Sequence, residues 1–277
     1  MNRTYVEVDV FTDRAYRGNP LAVVVDGDGL NDEEMQRFAN WTNLSETTFL
    51  VSPTDPEADY RVRIFTTSRE LAFAGHPTLG SCHAWLANGG TPRSPDRVVQ
   101  QCGIGLVDVR RDDNGRLAFA APPRLRDGPL DTETLAAAAA AIGIGTEAIV
   151  DSAWIDNGPG WLGLLLESAA EVLALTPTTT DLKIGVIGPH PPGAPTAYEV
   201  RAFFPENGLP LEDPVTGSLN ASAAQWLVET GRFTPPYVTS QGRAIGRDGR
   251  VYVKAGPDGQ IWIGGDTVTC VEGRVAL

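Results

Sequence analysis

The segment YRVRIF at residues 60–65 returns as YEVRAF at 198–203, sharing Tyr, Val, Arg and Phe, 138 residues on in a chain of 277. HPTLGS at 76–81 and DPVTGS at 213–218 follow, 137 apart, with Pro, Gly and Ser in common. VVQQCG at 98–103 and YVTSQG at 237–242 come next, 139 apart, sharing Val and Gly. Three matches in one order at nearly one spacing mark an internal duplication rather than chance likeness among Val- and Tyr-rich strands. That constrains the fold more than any composition does, because a duplicated supersecondary unit must bury its hydrophobic face twice.

Each copy reads as strands, a tight Gly/Pro turn and an Ala-rich helix, SCHAWLANGG in the first and SLNASAAQWLVETG in the second, both stopped by glycine. NDEEMQRFAN at 31–40 predicts an amphipathic helix with Asn31 or Asp32 as N-cap and Met35, Phe38 and Ala39 on one face. DTETLAAAAAAIGIG at 131–145 is expected as its counterpart. VVVD, FLVS, RVRIF, LVDVRR, RLAFA, WLGLLLE, VYVKA and IWIGG read as strands. The fold class is α+β: two pseudo-symmetric lobes, each a sheet wrapped around a central helix, with the active site expected in the cleft between them. Residues 1–122 are expected as the N-terminal lobe, with a tail from about 268 to 277 packing back onto it. Residues 131–267 are the C-terminal lobe, and the Pro-rich stretch 123–130 reads as the linker.

At 42% hydrophobic and 21% charged, the chain can bury a real core. Its formal net charge of −13 argues against nucleic acid or an anionic membrane as partner, since both demand a basic face. A small molecule is the natural partner class. No run approaches the roughly 20 apolar residues of a membrane span and no leader pattern opens the sequence, so the expected location is the cytoplasm. Cys82, Cys102 and Cys270 lack a CxxC spacing and read as buried thiols, with no metal implied. No dinucleotide or P-loop glycine pattern follows a strand, so no cofactor is expected.

If the two copies face each other, HPTLGS and DPVTGS bring two helix N-termini to one place, a ready site for a carboxylate. The 137-residue spacing sets His76 opposite Asp213. Singly, His76 reads equally as a cap or satisfied turn residue and Asp213 as an N-cap. Glu46, in NLSETTFLV, precedes an apolar strand, and DLKIGVIG in the other copy has no acid near the equivalent position. A carboxylate added to one copy only suits a general base, while a solvated side chain at a strand entrance is the plainer reading. Ser218, His76 and Asp213 do not make a serine-hydrolase set: there is no GxSxG elbow, and Ser218 and Asp213 share a turn.

VDVFTDRAYRGNPLAVV, NLSETTFLV, RIFTTSRELAFAGHPTLG and RAFFPENGLPLEDPVTGSLN together resemble the PhzF-like family of phenazine-biosynthesis isomerases, over nearly the whole chain. The resemblance implies a diaminopimelate epimerase fold, a small carboxylate-bearing substrate of anthranilate-like or amino-acid-derived kind, and proton transfer without a cofactor in secondary metabolism. It implies Glu46 as general acid/base, His76 and Asp213 as further catalytic residues, and Ser45, Gly75, Gly217 and Ser218 as substrate-binding residues. It also implies a homodimer. Thr67 and Ala72 depart from the family pattern, which often has proline there. The epimerase relatives' pair of turn cysteines is missing, which disfavours two-thiol racemisation. An amino-acid racemase or epimerase-type tautomerase, or a non-catalytic binding protein of the same fold, are the other readings.

Overall fold

The alternating run at the start of the sequence forms β1 (Asn2–Val10), with Val6, Val8 and Val10 buried. The structure, a computed structural model, describes residues 1–112, 114–178, 180–206 and 209–277. Contacts divide the chain into two units, Met1–Ala120 with Gly264–Leu277, and Ala121–Ile263.

In the first unit β1 pairs antiparallel with β2 (Asn19–Val24) and, on its other edge, with β17 (Thr267–Ala276). β2 runs parallel to β3 (Thr47–Val51), and α1 (Asp32–Thr42) makes the crossover that a parallel pair requires. Asn31 caps α1 through a reciprocal capping box with Glu34, and Met35, Phe38 and Ala39 pack with Val24, Phe49 and Phe65. β3 is antiparallel to β4 (Tyr60–Phe65), which pairs with the short β5 (Glu70–Leu71) and, in parallel, with β6 (Arg97–Cys102). A meander of β7 (Gly105–Arg111) and β8 (Leu117–Ala120) follows. α2 (Gly75–Ala87) is the central helix, packing on β1, β2, β3, β6, β7, β8 and β17.

The second unit opens with α3 (Thr132–Ala141) and then repeats the same pairings. β9 (Asp151–Trp154) is antiparallel to β10 (Trp161–Leu165), which runs parallel to β11 (Lys183–Pro189). α4 (Ala169–Ala174) lies between those two strands. β11 is antiparallel to β12 (Tyr198–Glu206), which takes β13 (Leu209–Glu212) antiparallel and β14 (Tyr237–Gln241) parallel. β15 (Gly249–Ala255) pairs with β14, and β16 (Ile261–Gly265) ends the series. The central helix is α5 (Gly217–Glu229), whose Leu219, Ala223, Trp226 and Leu227 enter the core. Residues 123–130 are held within this unit: Leu125 and Arg126 donate backbone N–H groups to the Asp156 carbonyl.

Two correspondences differ from those expected. The counterpart of α1 is α4, the crossover between β10 and β11, whereas α3 precedes β9 and packs Ala138, Ala141 and Ile142 into the core. His76 and Asp213 are not equivalent positions either. HPTLGS lies inside α2 rather than in a turn before it, and Pro77 is tolerated in the first turn because the early N–H groups of a helix have no intrahelical partner. α2 and α5 each have 13 residues, and matching their starts pairs Gly75 and His76 with Gly217 and Ser218. The interior supports that match: the fourth residue of each helix hydrogen-bonds a strand residue at the 139 spacing. Gln100 donates to Thr78 at 3.1 Å, and Thr239 donates to Asn220 at 2.9 Å.

Among the described residues no helix is long and apolar enough to cross a membrane.

Candidate active site

Glu46 stands at the entrance to β3, just after the chain turns through Asn43, which ends α1 in the left-handed conformation at φ 57°. The next two residues, Thr47 and Thr48, are fully buried. Ser81 on α2 donates to the Thr48 hydroxyl at 2.9 Å, and Thr48 donates to the Ala22 carbonyl at 3.4 Å. Helix and strand are thus tied together next to the site. The result is that Glu46 Oε2 lies 3.5 Å from His76 Nε2, with 15% of the Glu46 side chain and 6% of the His76 side chain exposed.

Burial pushes the His76 pKa down from 6.5 to about 3, against the opposing pull of the Pro20 backbone carbonyl. The ring is therefore neutral near pH 7. Pro20 is set by its own neighbours: it lies opposite Asp9 in the β1–β2 ladder, and Asp9 Oδ2 accepts from the Arg17 and Gly18 N–H groups at 2.7 and 2.9 Å. A Cβ on Gly18 would come within 2.1 Å of the Val10 carbonyl oxygen, so this close turn requires glycine.

The helix termini fall into two groups. Asn31, Asp131 and Ser168 cap α1, α3 and α4 with side-chain hydrogen bonds, whereas Ala74 and Thr216, before α2 and α5, supply none. Neither α2 nor α5 has an acidic residue in its first turn. Both therefore keep the positive end of the dipole and the early N–H groups for another partner.

In the second unit Asp213 precedes α5 by four residues and is not its cap. Its carboxylate accepts from the Thr216 hydroxyl, its N–H donates to the Ala202 carbonyl at 3.0 Å, and its carbonyl accepts from Gln241 at 3.0 Å. Gln241 Oε1 in turn accepts from the Thr216 N–H and from Asn220. Gly217 is buried at the helix start. The Ser218 hydroxyl accepts from Trp161 Nε1 at 3.0 Å, and the Ser218 carbonyl accepts from Asn157 Nδ2 at 2.9 Å. The structure thus joins Glu46 with His76 in the first unit, beside the N-terminus begun by Gly75, and assembles Asp213, Gly217 and Ser218 around α5 in the second. Ser45 is exposed on the bend before Glu46. Asn207 and Gly208, within the motif RAFFPENGLPLEDPVTGSLN, lie outside the described residues.

The family model for phenazine biosynthesis-like proteins, PhzC-PhzF, matches residues 8–273. The chain belongs to this family. It is 32% identical over 292 residues to the trans-2,3-dihydro-3-hydroxyanthranilate isomerase of Pseudomonas aeruginosa, covering 99% of each chain. It is 34% identical over 293 residues to antisense-enhancing sequence 1 of Schizosaccharomyces pombe, covering 98% of each. Among solved structures, the PhzF family phenazine biosynthesis protein of Bacillus anthracis superposes with a TM-score of 0.84 over 100% of both chains, at 22% identity, which shows the shared α+β fold. By its family and its relatives named as isomerases the chain is an isomerase.

Asp9, Pro20, Asn157, Trp161 and Gln241 were not among the residues singled out from sequence. Each meets the site across many positions: Pro20, Asn157, Trp161 and Gln241 bond site residues, and Asp9 holds the turn that sets Pro20. The only local signals are RGNP ahead of β2 and DNGPG ahead of β10, Gly/Pro turns that enter strands. Among the described residues no group of three or more His, Cys, Asp or Glu side chains is placed to hold a metal ion.

Proposed function

We propose that this isomerase moves a proton within a small carboxylate-bearing substrate, without a cofactor, using Glu46 as both acid and base. The observation that carries the reading is the buried approach of Glu46 Oε2 to a neutral His76. An imidazolium there would hold the carboxylate as a weaker base, whereas a neutral ring orients it without adding charge. Glu46 takes a proton from a carbon conjugated to the substrate carboxylate, the electron pair moves into the π-system, and the same carboxyl returns the proton at a second carbon. The bond lost at one carbon is made at the other, so no oxidant or reductant is consumed.

The uncapped start of α2 at Gly75 and His76 suits the substrate carboxylate. By family resemblance Ser45, Gly217 and Ser218 are assigned to substrate binding and Asp213, with His76, to orienting a polar group of the substrate. A relative named for trans-2,3-dihydro-3-hydroxyanthranilate makes an anthranilate-like ring acid the substrate class to try first. A thiol base is a poorer reading: Cys82, on α2, is fully buried, and burial pushes its pKa up to about 12.

The deciding experiment follows deuterium uptake from D₂O into that substrate. Glu46→Gln is expected to slow exchange by roughly 10²–10⁴-fold, the range for loss of a general base. Exchange at the parent rate would remove Glu46 from the chemistry.

A further inference from the structure

Ser218 is gripped twice by the turn that joins β9 to β10. That turn is closed by Asp156, whose carboxylate accepts from the Gly158 and Gly160 N–H groups, with both glycines at positive φ, 130° and 96°. It delivers Asn157 to the Ser218 carbonyl and Trp161 to the Ser218 hydroxyl. Trp161 is itself fixed, 4% exposed and packed in the core with Ile155, Leu219 and Trp226.

The chemistry of the second contact is one-directional. An indole N–H can only donate, so Ser218 Oγ must accept there. The hydroxyl hydrogen is then turned away from the indole. The Ser218 carbonyl, a local alternative, is already engaged by Asn157 and by the Ser222 hydroxyl at 3.2 Å.

We infer that Trp161 is a positioning residue that holds the Ser218 hydroxyl in one rotamer, with its hydrogen turned away from the indole and offered to an acceptor oxygen of the substrate. This rests on the reading of Ser218 as substrate-binding, and the test separates the two.

The test measures anthranilate binding by calorimetry for the parent protein, Trp161→Phe, Ser218→Ala and the double variant, with crystal structures of the parent and of Trp161→Phe. Trp161→Phe is expected to weaken binding about 3–10-fold, the worth of one hydrogen bond. In the Ser218→Ala background it should cost nothing further. The Trp161→Phe crystal should show Ser218 Oγ leaving the rotamer that it keeps in the parent. A full additional loss in the double variant, or an unmoved rotamer, would overturn the inference, because a merely structural loss of core packing does not depend on the Ser218 hydroxyl. If Ser218→Ala binds as well as the parent, or if the parent does not bind anthranilate, the reading of Ser218 fails instead. The rotamer alone then decides what Trp161 does.

Discussion

His76 couples the site to acid stability. Its pKa of about 3 in the folded protein lies below the ordinary 6.5, so the unfolded chain takes up that proton first. The contribution is intact above pH 6.5, shrinks by roughly tenfold in the folding equilibrium per pH unit below that, and levels off near the folded value. Urea unfolding of the parent and of His76→Gln at pH 7.5 to 4.5 checks it: the parent should lose stability more steeply, and parallel curves would show that His76 is not the linked group. Glu46 stood out because it breaks the likeness between the two copies just before an apolar strand, yet the residues alone favoured a solvated side chain, and the structure leaves only 15% of it exposed. Its relation to His76 was not legible, since 3.5 Å of separation follows from the Ser81–Thr48 tie and not from spacing in the chain. The pairing of His76 with Asp213 was misread because Pro, Gly and Ser recur in HPTLGS and DPVTGS at different distances from the helix starts.

At the level of elements, the duplication extends to how the segments entering α2 and α5 are braced. A Cβ on Gly103, in the turn after β6, would sit 2.6 Å from the Ala72 Cα, three residues before Gly75. A Cβ on Gly242, after β14, would sit 2.5 Å from the Pro214 carbonyl oxygen, three residues before Gly217. The paired arginines repeat the theme. Arg63 bonds Glu70 and lies over Phe65, while Arg201 bonds Glu212 and lies over Phe203. Gly103→Ala should therefore cost about 1–3 kcal/mol of stability, as overpacking does, and lower kcat by displacing the entry to α2. Gly273→Ala, with nothing within 4 Å of the added carbon, is the control and should change neither. Thermal melts and initial rates on both variants check this, and a Gly103→Ala enzyme with parent kcat would sever the brace from the site. Strands with a strong apolar run, such as β4, β10 and β16, and the two central helices could be read from the sequence, whereas β11 and β17 were not. The role of α4 could not be read either, because six residues with two buried side chains leave little periodic signal.

For the whole molecule, charge sets the terms of substrate approach. A formal −13 repels a carboxylate at long range, while the donors at the start of α2 act at contact and are shielded from salt by burial. Raising ionic strength from about 0.01 to 0.15 M shortens the Debye length from roughly 30 to 8 Å, so KM for an anionic substrate should fall by a few-fold. A KM that rises with salt would mean that exposed cations dominate capture. The α+β class and the duplication were readable at this scale because both are carried by repeated apolar pattern. The pairing of β1 with β17 has a separate consequence, for the order in which the nascent chain matures. Residues 2–10 are synthesised ahead of the second unit, yet one edge of their strand is covered by residues 267–276. The second unit, drawn from residues 121–263, has emerged entirely before then. The first unit is begun before the second and closes after it.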